Sequence, residues 1–310
     1  MSVFQAIVLG VIQGLTEFLP ISSSGHLAIG NHLLGKVLLE GDAPPAFDVL
    51  VHFASVVAIL AVLRHDVWSV LTTRRRLILP LGVGTVPAAI LGYCFGDYFG
   101  AARNSMIVVG ASLMFTGFAL ALSERLGRRA RALESLRLVD ALAIGSAQAV
   151  ALVPGISRSG MTIGGGLLRG MTREACVRFS FLLAIPVILG ASVLKAPEIA
   201  EIDALPVIAG ALASLAASVV AIKLLLGLVR RRSLAVFAYY CVPVGMAAFV
   251  LSAPQAVAAR LAALGLGRTP AVAVGYLAGV VVIAAAAYIV FFRLLKRKHP
   301  TEAAEETGPS

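Results

Sequence analysis

Apolar residues dominate the chain in long blocks separated by short polar connections. Seven of these blocks, at 47–63, 77–95, 105–122, 177–194, 205–228, 234–251 and 271–295, approach or reach the roughly 20 residues with which a helix crosses a bilayer core. They lack the period-two alternation of an outer-membrane barrel. Two further apolar regions, 3–35 and 139–170, are interrupted at "FLPISSSG" and "LVPGISRSG", which leaves pieces of about 15 residues. At about 1.5 Å per residue such a piece spans about 22 Å, short of a hydrocarbon core about 30 Å thick. Each region is therefore predicted to be a re-entrant hairpin, with a non-helical tip tolerated because protein or a polar cavity surrounds it. The expected fold is an all-α polytopic membrane protein with about seven transmembrane crossings and two re-entrant helix hairpins.

Composition supports this class. Of 310 residues 59% are hydrophobic and 14% charged, with a mean hydropathy of +0.94, against about 45–50% apolar residues in soluble domains. No Lys or Arg precedes Lys36, and Gln13, Thr16 and Glu17 interrupt the first apolar run. That is not the pattern of a cleaved signal peptide, so the N-terminus is expected to remain. Cys94, Cys176 and Cys241 stand singly in apolar segments, without the spacing of a disulfide framework or zinc site.

The net charge of +10 does not point to nucleic acid, because the basic residues sit in short connections. Four of these hold 16 of the 26 lysines and arginines: Arg64 with Arg74–Arg76, the group from Arg125 to Arg137, Arg230–Arg232, and Arg293 with Lys296–Lys298. All four share one side if there are seven crossings and both hairpins return to their side of entry, and that side is cytoplasmic. The N-terminus is then outside and the C-terminus inside.

The two hairpins are also a repeat. An ungapped shift of 135 residues places Gly10, Gln13, Ile21, Ser22, Ser24 and Gly25 on Gly145, Gln148, Ile156, Ser157, Ser159 and Gly160. Ser23 falls on Arg158 and His26 on Met161. Residues 1–310 read as a single membrane domain, with repeat 1 at about 1–125, repeat 2 at about 138–252, an additional crossing at 271–295 and a polar tail at 296–310. Opposite entry makes the repeat inverted, so the two broken tips should meet near the midplane.

The chemistry gathers at those tips. Gln13 and Glu17 share one helix face at i,i+4, and an ionisable group at membrane depth costs at least about 2.5–3.5 kcal/mol, which favours a functional role over a structural contact. Ser22, Ser23 and Ser24 follow Pro20, where Ser22 and Ser24 could equally be helix N-caps, and His26 lies on the next turn. The second tip supplies helix N-termini with unpaired N–H groups and Arg158, a permanently charged planar fork suited to phosphate. Together these groups describe a pocket for an anionic, phosphorylated, lipid-linked group.

"QGLTEFLPISSSGHL" and "PGISRSGMT" resemble the two signature regions of the bacterial undecaprenyl-diphosphate phosphatases, the bacitracin-resistance family. With "FSFLLAIPVILGA" the resemblance covers about residues 1–252. It implies hydrolysis of undecaprenyl diphosphate on the outer side of the bacterial plasma membrane, recycling the cell-wall lipid carrier. By matching position it implies Glu17, Ser23, His26 and Arg158 as catalytic residues, and Gln13, Ser22, Ser24, Gly155, Ser157, Ser159 and Thr162 as substrate-binding residues. The chain departs from the pattern at Ala54 in "VHFAS", where glycine is expected, at Met161 in place of alanine, and in the block 271–295 beyond the family's usual end.

Several mechanisms stay open at this point. Ser23 could attack phosphorus, activated by His26 or Glu17; His26 could attack directly; or His26 could activate water. The resemblance allows a Mg2+ or Ca2+ bridging Glu17 and the diphosphate, with no organic cofactor, although one Glu and one Gln are too few for an all-protein site. The expected partners are a polyprenyl diphosphate lipid and the bilayer, with no nucleic acid and a homodimer left open. The competing reading is a lipid-phosphate flippase, since inverted repeats with broken helices are typical of transporters. Pure anion binding would not require the Glu/Ser/His set. A structural scaffold leaves the intramembrane charges unexplained.

Overall fold

A computed structural model describes residues 1–34, 45–102, 105–195 and 204–263. Among them the chain is helical: α1 (Val3–Phe18), α2 (Ser23–Leu34), α3 (Pro45–Val62), α4 (Arg64–Leu71), α5 (Ile78–Ala102), α6 (Met106–Leu126), α7 (Leu138–Val150), α8 (Arg158–Leu168), α9 (Arg173–Lys195), α10 (Ala204–Val229) and α11 (Val236–Ala263). Among the described residues four helices are long and apolar enough to cross a membrane, and they correspond to the expected crossings at 77–95, 105–122, 177–194 and 205–228. The expected crossing at 47–63 reaches that length only together with α4, which bends away by 81°. Most of the block 234–251 lies in α11, whose apolar part, Val236–Val250, is shorter than a crossing. The block 271–295 and the polar tail lie outside the described residues.

Both interrupted regions form broken helix pairs. Ser2 caps α1 by accepting from Gln5 N at 3.2 Å. The helix ends because Pro20 disfavours helical geometry at Leu19, which is extended at φ −67°, ψ 139°. The second pair breaks at Pro154-Gly155, where Gly155 has φ +92° and a Cβ would lie 2.7 Å from Val109 O. The pair folds back on itself. Arg169, just past the end of α8, donates to Asp140 in the first turn of α7 at 2.7 Å.

Glycine lets the helices approach. A Cβ on Gly10 of α1 would lie 2.2 Å from Gly210 O of α10, and one on Gly145 of α7 would lie 2.3 Å from Gly84 O of α5. Gly110 and Gly245 face each other in the same way between α6 and α11. The main core cluster, which includes Phe18, Ile59, Ile144, Ile163, Phe179, Phe181 and Ile222, joins helices from both halves of the chain.

One end of the bundle carries a chain of ion pairs that links three basic connections. Arg74 pairs with Glu134 at 3.3 Å and with Asp66 at 3.9 Å. Asp66 also pairs with Arg178, which joins Glu174, and Glu174 accepts from Arg230 at 3.0 Å. Nearby, Glu124 holds Arg129 and Arg173. The exposed pairs contribute little stability singly, about 0–1 kcal/mol, but together the pairs locate Arg74, Arg129 and Arg230 at the same end.

Candidate active site

The two tips interlock. Ser22 caps α2, accepting from Gly25 N at 3.3 Å, and Ser157 caps α8, accepting from Gly160 N at 3.1 Å. Each cap is joined to the serine two residues on, Ser22 to Ser24 at 3.3 Å and Ser157 to Ser159 at 3.1 Å. Gly155 N donates to Ser24 Oγ at 3.3 Å, and Ser159 Oγ donates to Leu19 O at 3.1 Å, so each tip satisfies polar groups of the other. Ser22 adopts φ 71°, a left-handed conformation unusual for serine. Thr116 reinforces the second tip by accepting from Ser157 N at 3.0 Å.

At this junction Glu17, 8% exposed, is surrounded by donors. Gln13 Nε2 donates to Oε2 at 2.9 Å, Ser23 Oγ to the same oxygen at 2.6 Å, and the Arg158 guanidinium to Oε1 at 2.5 Å. His52 of α3 brings Nε2 to 3.6 Å from Oε2. Burial of a lone carboxylate would be strongly unfavourable, and these partners offset that cost. A cavity of about 150 Å³ opens beside the carboxylate, lined by Glu17, Ser22, Ser23, Ser24, His52, Ala151, Ile156, Ser157 and Arg158. The first turns of α2 and α8 begin at its wall, and such turns carry N–H groups with no acceptor inside the helix.

Of the residues singled out from sequence, Gln13, Glu17, Ser23 and Arg158 therefore meet in one contact group, and Ser22, Ser24 and Ser157 line the cavity. Gly155 and Ser159 serve the tip-to-tip contacts. Thr162 is buried in contact with Ser180 at 2.6 Å and is not among the cavity-lining residues. His26 is held elsewhere: Nδ1 donates to Ser22 O at 2.7 Å, which leaves Nε2 of the neutral ring to accept from Tyr240 OH at 2.8 Å. Two residues escaped sequence reasoning. Tyr240 carries no signal within "VFAYYC". His52 does, as an ionisable residue inside an apolar block.

Among the described residues no group of three or more His, Cys, Asp or Glu is arranged to hold a metal ion. One acceptor beside Glu17 is nevertheless unused, because Gln13 Oε1 is buried without a hydrogen-bond partner.

Known proteins resemble this chain over most of its length. The undecaprenyl-diphosphatase of Halothermothrix orenii is 40% identical over 260 residues, covering 81% of this chain and 99% of the relative. That of Carboxydothermus hydrogenoformans is 40% identical over 264 residues, 82% of this chain and 98% of the relative. That of Syntrophotalea carbinolica is 41% identical over 267 residues, 81% of this chain and all of the relative. The family described as "Bacitracin resistance protein BacA" matches residues 6–247, which include both helix breaks and every residue of the contact group, and the chain belongs to that family.

Proposed function

We propose that this chain is an integral-membrane phosphatase that hydrolyses undecaprenyl diphosphate to undecaprenyl phosphate and inorganic phosphate, recycling the cell-wall lipid carrier. The observation that carries this reading is the set of contacts on one buried carboxylate. Glu17 holds a hydroxyl, Ser23, on one oxygen and a phosphate-binding cation, Arg158, on the other. Anion transport alone would need the cation but not the carboxylate-bound serine.

In this reading Arg158 and the first-turn N–H groups of α2 and α8 receive the diphosphate and stabilise charge as it develops. Once the guanidinium turns to phosphate, the Ser23 proton is left as a near donor to Glu17. Ser23 Oγ attacks the terminal phosphorus as its proton passes to Glu17, the bond to the bridging oxygen breaks, and undecaprenyl phosphate leaves. Water then displaces Ser23: its hydroxyl joins phosphorus and a proton returns to the serine oxygen. His26 braces the first tip through Ser22 and Tyr240. A Mg2+ or Ca2+ arriving with the diphosphate would be held by Glu17 and Gln13 Oε1, and when bound it would neutralise phosphate charge.

The finer topology belongs to the same proposal. Two inverted repeats are supported by the matched serine caps, by the glycine contacts Gly10–Gly210 and Gly145–Gly84, and by Gly110 against Gly245, 135 residues apart. The ion-pair end of the bundle is the cytoplasmic one, the site opens to the outer side, and seven crossings place the N-terminus outside. Phosphate release from undecaprenyl diphosphate by detergent-purified protein tests the reading. A flippase would release none.

A further inference from the structure

Helix α11 lies outside both helix breaks, yet two consecutive residues of it hold the first one. Tyr240 OH donates to His26 Nε2 at 2.8 Å, and the two rings stack with centroids 5.6 Å apart and planes 10° from parallel. The next residue, Cys241, donates through Sγ to Pro20 O at 3.6 Å. Neither His26 nor Tyr240 is among the residues lining the cavity.

The backbone they hold is strained. Ser22 has φ 71°, a conformation that costs any residue with a Cβ and persists only where the surroundings fix it. Its carbonyl accepts twice from His26, from the backbone N at 3.2 Å and from Nδ1 at 2.7 Å. That carbonyl and the nitrogen of Ser23 belong to one planar peptide group. Turning the group therefore moves Ser23, whose Oγ donates to Glu17 Oε2 at 2.6 Å. The grip through Nδ1 needs the ring proton on Nδ1. A neutral imidazole can carry its proton on either nitrogen, and a hydroxyl that donates to Nε2 selects the Nδ1–H form.

The second tip is tied to the same helix. A Cβ on Gly245 of α11 would lie 2.6 Å from Gly110 O of α6, so the two helices pack backbone to backbone. Helix α6 holds the second tip, because Thr116 accepts from Ser157 N at 3.0 Å and Gly155 backs onto Val109 and Ser112. One close helix pair thus fixes both tips, α11 the first and α6 the second.

We propose that Tyr240 is a positioning residue for the reaction: it holds His26 as the Nδ1–H tautomer, which keeps Ser22 in its left-handed conformation and Ser23 aimed at Glu17. This role rests on the hydrolase reading above. Tyr240 acts through His26 and Ser22, so its loss should slow the chemical step and leave substrate binding unchanged.

Tyr240→Phe keeps the ring and removes only the hydroxyl. With one hydrogen bond of the brace lost, kcat for phosphate release from undecaprenyl diphosphate is expected to fall by about threefold or more, with KM within about twofold. Nitrogen-15 NMR reads the route directly. Gly25-His26 is the one Gly-His pair in the sequence, so carbon-13 glycine with nitrogen-15 histidine selects this ring. Wild type should carry the proton on Nδ1, and Tyr240→Phe should show a share of the Nε2–H form, a change that loss of packing alone would not produce. A smaller fall in kcat, a larger rise in KM, or a tautomer that does not respond to the substitution would each overturn the role. The wild-type spectrum tests it even if Tyr240→Phe fails to fold, since an Nε2–H ring there contradicts the grip on Ser22. Wild type that releases no phosphate refutes the hydrolase reading itself, whereas an active wild type with an equally active Tyr240→Phe refutes only the positioning role.

Discussion

Replacement of Arg158 by lysine keeps the charge and removes the fork, which separates two ways the residue could act. The guanidinium donates one nitrogen to Glu17 Oε1 at 2.5 Å while lining the cavity where the diphosphate is proposed to sit. A guanidinium presents several donors in one plane, so it can hold carboxylate and phosphate together or turn two donors onto one phosphoryl group. Lysine offers a single nitrogen on a shorter reach. It therefore gives up at least one charge-assisted hydrogen bond, about 1.5–3 kcal/mol, and if that bond acts in the transition state, turnover falls about ten- to 150-fold. Phosphate release from undecaprenyl diphosphate by purified wild type and Arg158→Lys measures this directly, with size-exclusion profiles confirming that both are folded. Turnover of Arg158→Lys within twofold of wild type would refute the clamp and the pairing of the two tips behind it.

Two further predictions concern the scaffold. Gly145→Leu would drive a side chain into Gly84 O, 2.3 Å from the position of its Cβ, so detergent-solubilised protein should be destabilised by roughly 1–3 kcal/mol or more of overpacking and unfold at a lower temperature; Gly227→Ala, with nothing within 4 Å, should unfold no earlier than wild type, and equal behaviour of the two variants would contradict the close α5–α7 approach. A reporter fused after Ser310 should be active only in its cytoplasmic form, and activity confined to the periplasm would overturn the proposed topology.

The helix breaks were legible in the sequence because proline, glycine and clustered serine act through the local backbone. Pro20 and Gly155 mark both tips. Glu17, Ser23 and Arg158 were legible as chemistry, since charge at membrane depth needs a reason. Their meeting depends on the tertiary lock between Ser24, Gly155, Ser159 and Leu19, which the 135-residue repeat foreshadowed. Other features were less accessible. Leu63 adopts φ −98°, ψ 24° at the 81° bend between α3 and α4 without a proline or glycine to mark it. The basic connections were visible, but not their partners Asp66, Glu134 and Glu174, because such pairing is decided between helices distant in sequence. His26, one turn past the serines and implied as catalytic by the resemblance, turns its ring to Tyr240, 214 residues away, a contact that no local pattern announces.

The central claim is that Glu17, gripped by Ser23 and Arg158, is the acid-base group of a diphosphate hydrolase. Phosphate release from undecaprenyl diphosphate by wild type and Glu17→Gln, purified at equal yield in the same detergent, tests it most directly. The amide matches the carboxylate in shape but cannot take the Ser23 proton, so turnover should fall at least about 100-fold, within the range for loss of a general acid-base group. Near wild-type phosphate release by Glu17→Gln would contradict the account and leave the carboxylate with a structural role.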